Sequence, residues 1–396
     1  MTGVLTTAEV AEQAGVTAAT LRRWVREGVV ALDAGGWTPA AATQARIVAR
    51  LRARGHSLAS IRDAVADGRL AFGVVDDLFA ARQGTITLEH AARETGLEPA
   101  LIERIFQTVG FSSGWLDHLT REDLRFLRSG ASVLRAGLPL IAFLQLARVY
   151  GQAIAQVADA EVRLFHLYVH EPLMREGVRG AEMAEAMEGL TADTLPLASP
   201  AMDYLHQRYL QHFIEQDVIG HMEAESAPGE LDLGRLRVAI AFADLAGYTR
   251  LTEEAGDEEA VNAVERFIES VAATLPDDAR VIKTIGDEVM IVGSDAGALT
   301  DWAVGFQEQH DRRPLPRIGI HVGECVYRDG DYYGREVNLA ARVAARSGGG
   351  EVLVTRPVVD AAGGHLEFER IGEVRLKGFA DATELFLAAA DAGAGR

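Results

Sequence analysis

RVAIAFADL at 237–245 and RVIKTIGDEVMIVG at 280–293 decide the fold of the C-terminal part of this chain. Each is an apolar run of strand length rich in Val and Ile, and the second is divided by Gly286-Asp287, a pair suited to a tight turn. Between them, EEAVNAVERFIESVAATL at 258–275 repeats its apolar residues at helical spacing. Outward from there, GALTDWAVGFQEQH at 297–310 predicts a second helix, PRIGIHVGECVYRDGDYYG at 316–334 a hairpin, and VNLAARVAARS at 337–347 a third helix. The order β-α-β-β-α-β is the ferredoxin-like arrangement, an α+β fold.

Two acids close the apolar runs, Asp244 in FADLAGYT at 242–249 and Asp287 in VIKTIGDEVM at 281–290. Paired hard oxygen ligands suit Mg²⁺ or Mn²⁺, which need only one or two carboxylates when a phosphate substrate supplies the rest. A third string, DYYGREVNLAARVAAR at 331–346, adds Asp331, Asn338 and Arg342. Asn338 and Arg342 are four apart and share a helix face. Glu288 follows Asp287 directly and, by strand alternation, points away from it.

Together the three strings, over roughly 236–390, resemble the class III nucleotidyl cyclases, with all six positions that family uses present. The resemblance implies that the 3′-hydroxyl of a nucleoside triphosphate attacks its own α-phosphate and expels pyrophosphate, with two divalent cations, Mg²⁺ or Mn²⁺, at the site. Asp244, Asp287 and the Leu245 carbonyl would be the metal ligands. Lys283 and Asp331 would be the purine-specifying pair: one donor and one acceptor match the adenine edge, so the substrate would be ATP. Asn338 would orient the ribose and Arg342 would bind phosphate oxygens in the transition state. Phe242, Gly247 and Thr249 complete the first motif, the glycine letting backbone approach the triphosphate. In this family the metal aspartates come from one protomer and the purine pair, Asn and Arg from the other, which implies a homodimer with two equivalent sites.

The 396 residues suffice for two or three domains, and 48% hydrophobic with 24% charged residues reads as an ordinary globular chain. The apolar stretch LPLIAFLQLA at 138–147 is closed by Arg148 and is shorter than a membrane span requires. With no leader sequence and one cysteine, Cys325, which reads as a buried structural thiol, the expectation is a cytoplasmic protein. Net charge is −19, yet residues 1–70 hold nine arginines against six acids. A polyanion would therefore meet only this basic head.

The head, 1–70, reads as short helices separated by Gly15, a helix-turn-helix with TAATLRRWVREG at 17–28 as its second helix. TLRRW, Trp37 in a wing-like segment, and GHSLASIRDAV resemble the DNA-binding head of the MerR family. That resemblance would turn Arg22 and Arg23 toward DNA, although the wing, Asp33-Ala34-Gly35-Gly36, brings an acid and no arginine. Residues 71–225 are patterned as helices with breaks at Gly84, Gly96, Gly110 to Gly114, Gly130, Gly137 and Gly177 to Gly180. TVGF and HEPLM with YLHQRYLQHFIEQ resemble the helical regulatory half of pH-responsive actinobacterial adenylate cyclases. His166 and His170, one helical turn apart, would be its pH-sensing residues, and 138–147 either lines a pocket for an acyl chain or packs as core. DYLHQRYLQHFIEQDVIGHMEAESAPGE at 203–230 reads as an amphipathic transducing helix, with Leu205, Tyr209, Phe213 and Val218 as its stripe, running into a linker over 226–235.

The expectation is thus a winged helix-turn-helix, an all-α regulatory domain and a catalytic domain over 236–390, forming a homodimeric adenylate cyclase regulated by pH, a lipid or another ligand. The alternative is a MerR-like DNA-binding transcriptional regulator that uses the C-terminal domain as a nucleotide-sensing dimeriser.

Overall fold

Four hydroxyl side chains start the four helices of the head: Thr6 before α1 (Thr7–Gln13), Thr17 before α2 (Ala18–Arg26), Thr38 before α3 (Pro39–Ala53) and Ser57 before α4 (Leu58–Ala66). Each accepts a bond from the backbone N–H three residues on, and at Thr6 the Glu9 carboxylate returns the bond, which ties the first turn at both ends. The computed structural model describes residues 5–30, 32, 36–67, 69, 86–178, 180–224, 235–310, 313–362 and 366–390. Leu21, Trp24, Val29, Val30, Trp37 and Ile61 fill the core of the head, and the Trp37 indole donates to Thr7 Oγ1 at 3.0 Å. Asp33, Ala34 and Gly35 of the wing lie outside the described residues.

The next helices are α5 (Leu88–Thr95), α6 (Pro99–Thr108), α7 (Arg121–Arg135), α8 (Leu140–Phe165), α9 (Glu171–Arg175) and α10 (Gly180–Ala224). Ile102, Ile105, Phe106, Leu119, Leu127, Phe143 and Leu144 form a core shared by α6, α7, the start of α8 and the segment between α6 and α7. Gly130, expected as a break, lies inside α7: a Cβ there would meet the Phe143 ring at 2.9 Å, so the glycine makes room for α8. Gly84 falls outside the described residues. A π turn, His166–His170, joins α8 to α9. Among the described residues, Leu140–Arg175 is the one helical stretch long and apolar enough to cross a membrane by length and composition. Phe143, Leu144 and Ala147 of its first turns are built into the core, whereas Ile141, Tyr150 and Ile154 are exposed. The transducing helix begins at Gly180, well before the expected 203, and continues through Pro196 and Pro200. Leu205, Tyr209, Phe213 and Val218 are all exposed on it. The expected linker lies outside the described residues, except that Arg235 already belongs to the first strand.

The chain divides into two compact units between Leu210 and Gln211. In the second, β1 (Arg235–Leu245) leads through α11 (Tyr248–Ala255) and α12 (Asp257–Thr274) to the hairpin β2 (Arg280–Ile285) and β3 (Glu288–Gly293). Then come α13 (Ala296–Glu308), the hairpin β4 (Pro316–Arg328) and β5 (Asp331–Tyr333), and α14 (Arg335–Arg346). β6 (Val352–Thr355), α15 (Arg356–Ala361), β7 (Leu366–Arg375) and β8 (Ala382–Ala390) complete it. The sheet runs β2-β3-β1-β4-β6-β8-β7, with β5 on β4 and with β1 antiparallel to both neighbours. Its first four strands and two crossover helices form the ferredoxin-like core; α11 and the extension beyond α14 are additions to it.

Strand alternation gives the sheet two different faces. Ala239, Ala241, Ala243 and Leu245 pack with Phe267, Val271, Leu299 and Phe306 beneath α12 and α13. Val238, Ile240 and Phe242 pack with Met290, Val292, Val337, Ala340 and Ala344 beneath α14. The second face needs a smooth strand, and Gly319 of β4 provides it: a Cβ there would lie 2.0 Å from the Ala344 backbone nitrogen. α14 packs on β4 and β1.

Candidate active site

The register places the functional side chains in two rows on the α14 face. Lys283 pairs with Met290, Met290 with Phe242, and Phe242 with Gly319. One step toward the strand ends, Asp244 pairs with Arg317, and Glu288 precedes Met290 on the same face by two residues. Glu288 therefore does not turn away as expected. Asp287 sits in the turn ahead of β3, so alternation does not relate the two acids, and Glu288 shares the face of Asp244. Burial raises the Glu288 carboxyl above its ordinary value, Asp244 raises it further, and Arg317 and Arg342 pull it back down.

Asp244 and Asp287 are brought together. Asp244 is buried, and its Oδ2 accepts from Arg317 Nε at 2.9 Å and also from Nη2. Its Oδ1 is buried and accepts from no N–H or hydroxyl among the described residues, and the Asp287 carboxyl is the hydrogen-bonding neighbour of Asp244 besides Arg317. The Asp287 carboxyl is pushed up to about 7, first by burial and then by the hydrogen bond and the charge of Asp244. Two facing carboxylates with a buried oxygen that no N–H or hydroxyl satisfies fit a hard divalent cation, which would take the place of their contact with each other. Among the described residues no cluster of three or more His, Cys, Asp or Glu is arranged for a metal, so these acids would serve with substrate oxygens and the Leu245 backbone. Gly247, at φ 89°, turns the chain after β1 into α11, whose N-terminus has no side-chain cap.

Lys283 Nζ donates to Asp331 Oδ2 at 2.5 Å, and the Tyr332 backbone N–H donates to Asp331 Oδ1 at 2.8 Å. A donor and an acceptor are thereby held side by side at the partly exposed edge of the sheet. Arg280, three residues before Lys283 on β2, donates to the Tyr332 hydroxyl at 2.9 Å and ties the same two strands together. Asn338 and Arg342 lie on the exposed face of α14, opposite its buried Ala340 and Ala344. Among the described residues, no hydrogen bond or ion pair joins the Lys283–Asp331 pair, Asn338 or Arg342 to the Asp244–Asp287 pair. Arg317 was missed by the sequence reading; the signal that could have found it is its place at the start of the strand that pairs with β1.

The remaining candidates lie in the first unit. Arg22 and Arg23 are exposed on α2, with Arg23 within 3.8 Å of Glu27. His170 is buried in the π turn with its Nδ1 at 3.3 Å from Nδ1 of the half-exposed His166, whose Nε2 lies 3.7 Å from Glu171.

Residues 235–389 match the adenylate and guanylate cyclase catalytic domain, and residues 5–67 match the MerR helix-turn-helix family of regulatory proteins. An adenylate cyclase of Streptomyces griseus is 33% identical over 273 residues, which are 67% of this chain and 65% of that one. An adenylate cyclase of Streptomyces coelicolor is 32% identical over 271 residues, 67% of this chain and 68% of the relative. A pH-sensitive adenylate cyclase of Mycobacterium tuberculosis is 28% identical over 313 residues, covering 76% of this chain and 77% of that protein.

Proposed function

This chain belongs to the adenylate and guanylate cyclase family, and from that premise we propose that it is an adenylate cyclase, converting ATP to 3′,5′-cyclic AMP and pyrophosphate at a homodimer interface. The observation that carries the reading is the pair of facing carboxyls, Asp244 and Asp287, at the ends of β1 and β3, beside the donor and acceptor that Lys283 and Asp331 hold together. Asp244, Asp287 and the Leu245 carbonyl would hold two Mg²⁺ or Mn²⁺ ions, whose chemistry when bound is to lower the pKa of the ribose 3′-hydroxyl and neutralise the triphosphate.

The protein's own residues do the rest. Lys283 donates to the acceptor ring nitrogen of adenine and Asp331 accepts from its amino group, so their mutual bond opens to admit the base. Guanine reverses that pattern and is disfavoured. Asn338 orients the ribose, and Arg342 donates to phosphate oxygens as their charge grows, a preorganised electrostatic contribution. Both are exposed on α14, as residues that serve a site completed by a second protomer would be. A twofold dimer then holds two equivalent sites. The helical unit adjusts activity in response to pH, a lipid or another ligand. The buried His170 beside His166 in a π turn supports pH, because π turns concentrate at functional positions. One cysteine and an intracellular substrate accord with a cytoplasmic location.

The test is cyclic AMP production from ATP with Mg²⁺ or Mn²⁺ across mildly acid to mildly alkaline pH. The wild-type chain turns over, and its profile reports the pH response; Asp287→Ala and Arg342→Ala are each inactive. Equal mixing of the two inactive chains restores about a quarter of wild-type activity, because half of random dimers carry one intact site out of two. Full activity in Asp287→Ala would overturn the metal reading, and no recovery on mixing would overturn the shared site.

A second reading, DNA binding by the head, is favoured by the exposure of Arg22 and Arg23 along α2.

A further inference from the structure

We infer that Arg317 is the positioning residue of the metal site: by gripping Oδ2 of Asp244 it keeps Oδ1 turned out toward a divalent cation and offsets the charge of the neighbouring carboxylates. The inference rests on the reading of Asp244 and Asp287 as metal ligands and adds to it the residue that sets their geometry.

The shape of the ion pair is its first support. An arginine paired with a carboxylate commonly forms a fork in which each nitrogen takes one oxygen. Here Nε, at 2.9 Å, and Nη2 both address Oδ2, and the buried Oδ1 accepts from no N–H or hydroxyl donor among the described residues, leaving the Asp287 carboxyl as the other neighbour of Asp244. An ion pair serving the fold alone would gain by satisfying both oxygens, since a buried oxygen left unsatisfied costs stability. This one fixes the carboxylate while sparing an oxygen for a ligand.

The second support is the charge around it. Arg317 pairs with Asp244 at the end of β1, Glu288 opens β3 on the same face and Asp287 lies in the turn just before it, so the arginine stands among three acids. Three neighbouring acids repel one another, and an arginine held among them offsets that repulsion without occupying Oδ1. The third support is rigidity. Arg317 stands directly opposite Asp244 in the β1–β4 register, in a strand whose other neighbour is β6, so the grip is anchored on regular backbone. Carboxylate ligands elsewhere are oriented in this way by outer hydrogen bonds, whose loss weakens metal binding about 10–100-fold.

The experiment is Mn²⁺ binding to the full chain without nucleotide, read by the electron paramagnetic resonance signal of free Mn²⁺, with circular dichroism as the check on folding. Arg317→Gln is expected to weaken Mn²⁺ binding about 10–100-fold and Arg317→Lys to recover part of that loss. On an Asp244→Asn background, Arg317→Gln is expected to change nothing further, because its effect passes through Asp244. Equal or tighter binding by Arg317→Gln overturns the inference. If that variant does not fold, Arg317→Lys decides, since it keeps the charge but loses the two-nitrogen grip: weaker binding than wild type sustains the inference, equal binding overturns it. Wild-type binding that Asp244→Asn abolishes but Arg317 variants leave untouched overturns only the role of Arg317. No Mn²⁺ on the wild-type chain overturns the metal reading and this inference with it.

Discussion

Lys283 and Asp331 satisfy each other through a 2.5 Å bond, so a base bound between them as proposed would have to replace both halves of an ion pair. Adenine can, because it offers an acceptor next to a donor. Lys283→Glu sets two carboxylates side by side and removes the donor; ATP turnover should fall about 100-fold or more, with GTP turnover falling less. Paired assays with the two nucleotides check this, and an unchanged ATP rate would remove Lys283 from base recognition. These two residues and the four other proposed site positions stand out in the sequence because each lies inside a short string with its own pattern. Arg317 does not. It meets Asp244 across 73 residues, solely because β1 and β4 lie side by side, and no local pattern encodes that pairing. Glu288 departs from its expected direction for a related reason: Asp287 belongs to the turn, so strand alternation begins at Glu288 itself.

α14 depends on a buried network at its first turn. His321 of β4 is 4% exposed, with Nδ1 at 2.7 Å from Thr355 Oγ1 and Nε2 at 2.7 Å from Glu336 Oε2. Burial holds the imidazole below its ordinary 6.5 even though Glu336 pulls it upward. A histidine depressed in the folded state takes up its proton more readily when unfolded, so its contribution to stability is complete above about pH 6.5 and is lost as pH falls toward the folded value. The denaturation midpoint should therefore drop between neutral and mildly acid pH, and His321→Gln should flatten that part of the slope. A midpoint with the same pH slope in both chains would show that His321 is not its source. Elements with a clean period, such as α12, α13 and the β2–β3 hairpin, could be read from the sequence. Gly130 misled because a glycine that ends a helix and one that admits a neighbouring ring look alike until Phe143 is seen against it. The early start of α10 was hidden by Pro196 and Pro200, residues that ordinarily argue for a helix end.

At the scale of the whole chain, a basic head is joined to an acidic remainder. If α2 enters a major groove, Arg22 and Arg23 contact DNA and binding weakens steeply with salt, as displaced counterions require. A mobility shift of labelled duplex by the full chain at low salt, lost in Arg22→Ala with Arg23→Ala, is the expected result; no shift at low salt would leave the head as a docking module. The two units also explain why the sequence reading was uneven. The sheet unit is specified by strands that each carry a chemical marker, whereas the helical unit is specified by packing among apolar residues that many arrangements would satisfy. One consequence belongs to genetics. If the site is shared between protomers as proposed, alleles that change Asp244 or Asp287 and alleles that change Asn338 or Arg342, both exposed on α14, would fall into two complementation groups. A cell carrying one allele from each group regains part of its cyclic AMP, two alleles from the same group do not complement, and a defective copy beside a normal one halves the output without poisoning it.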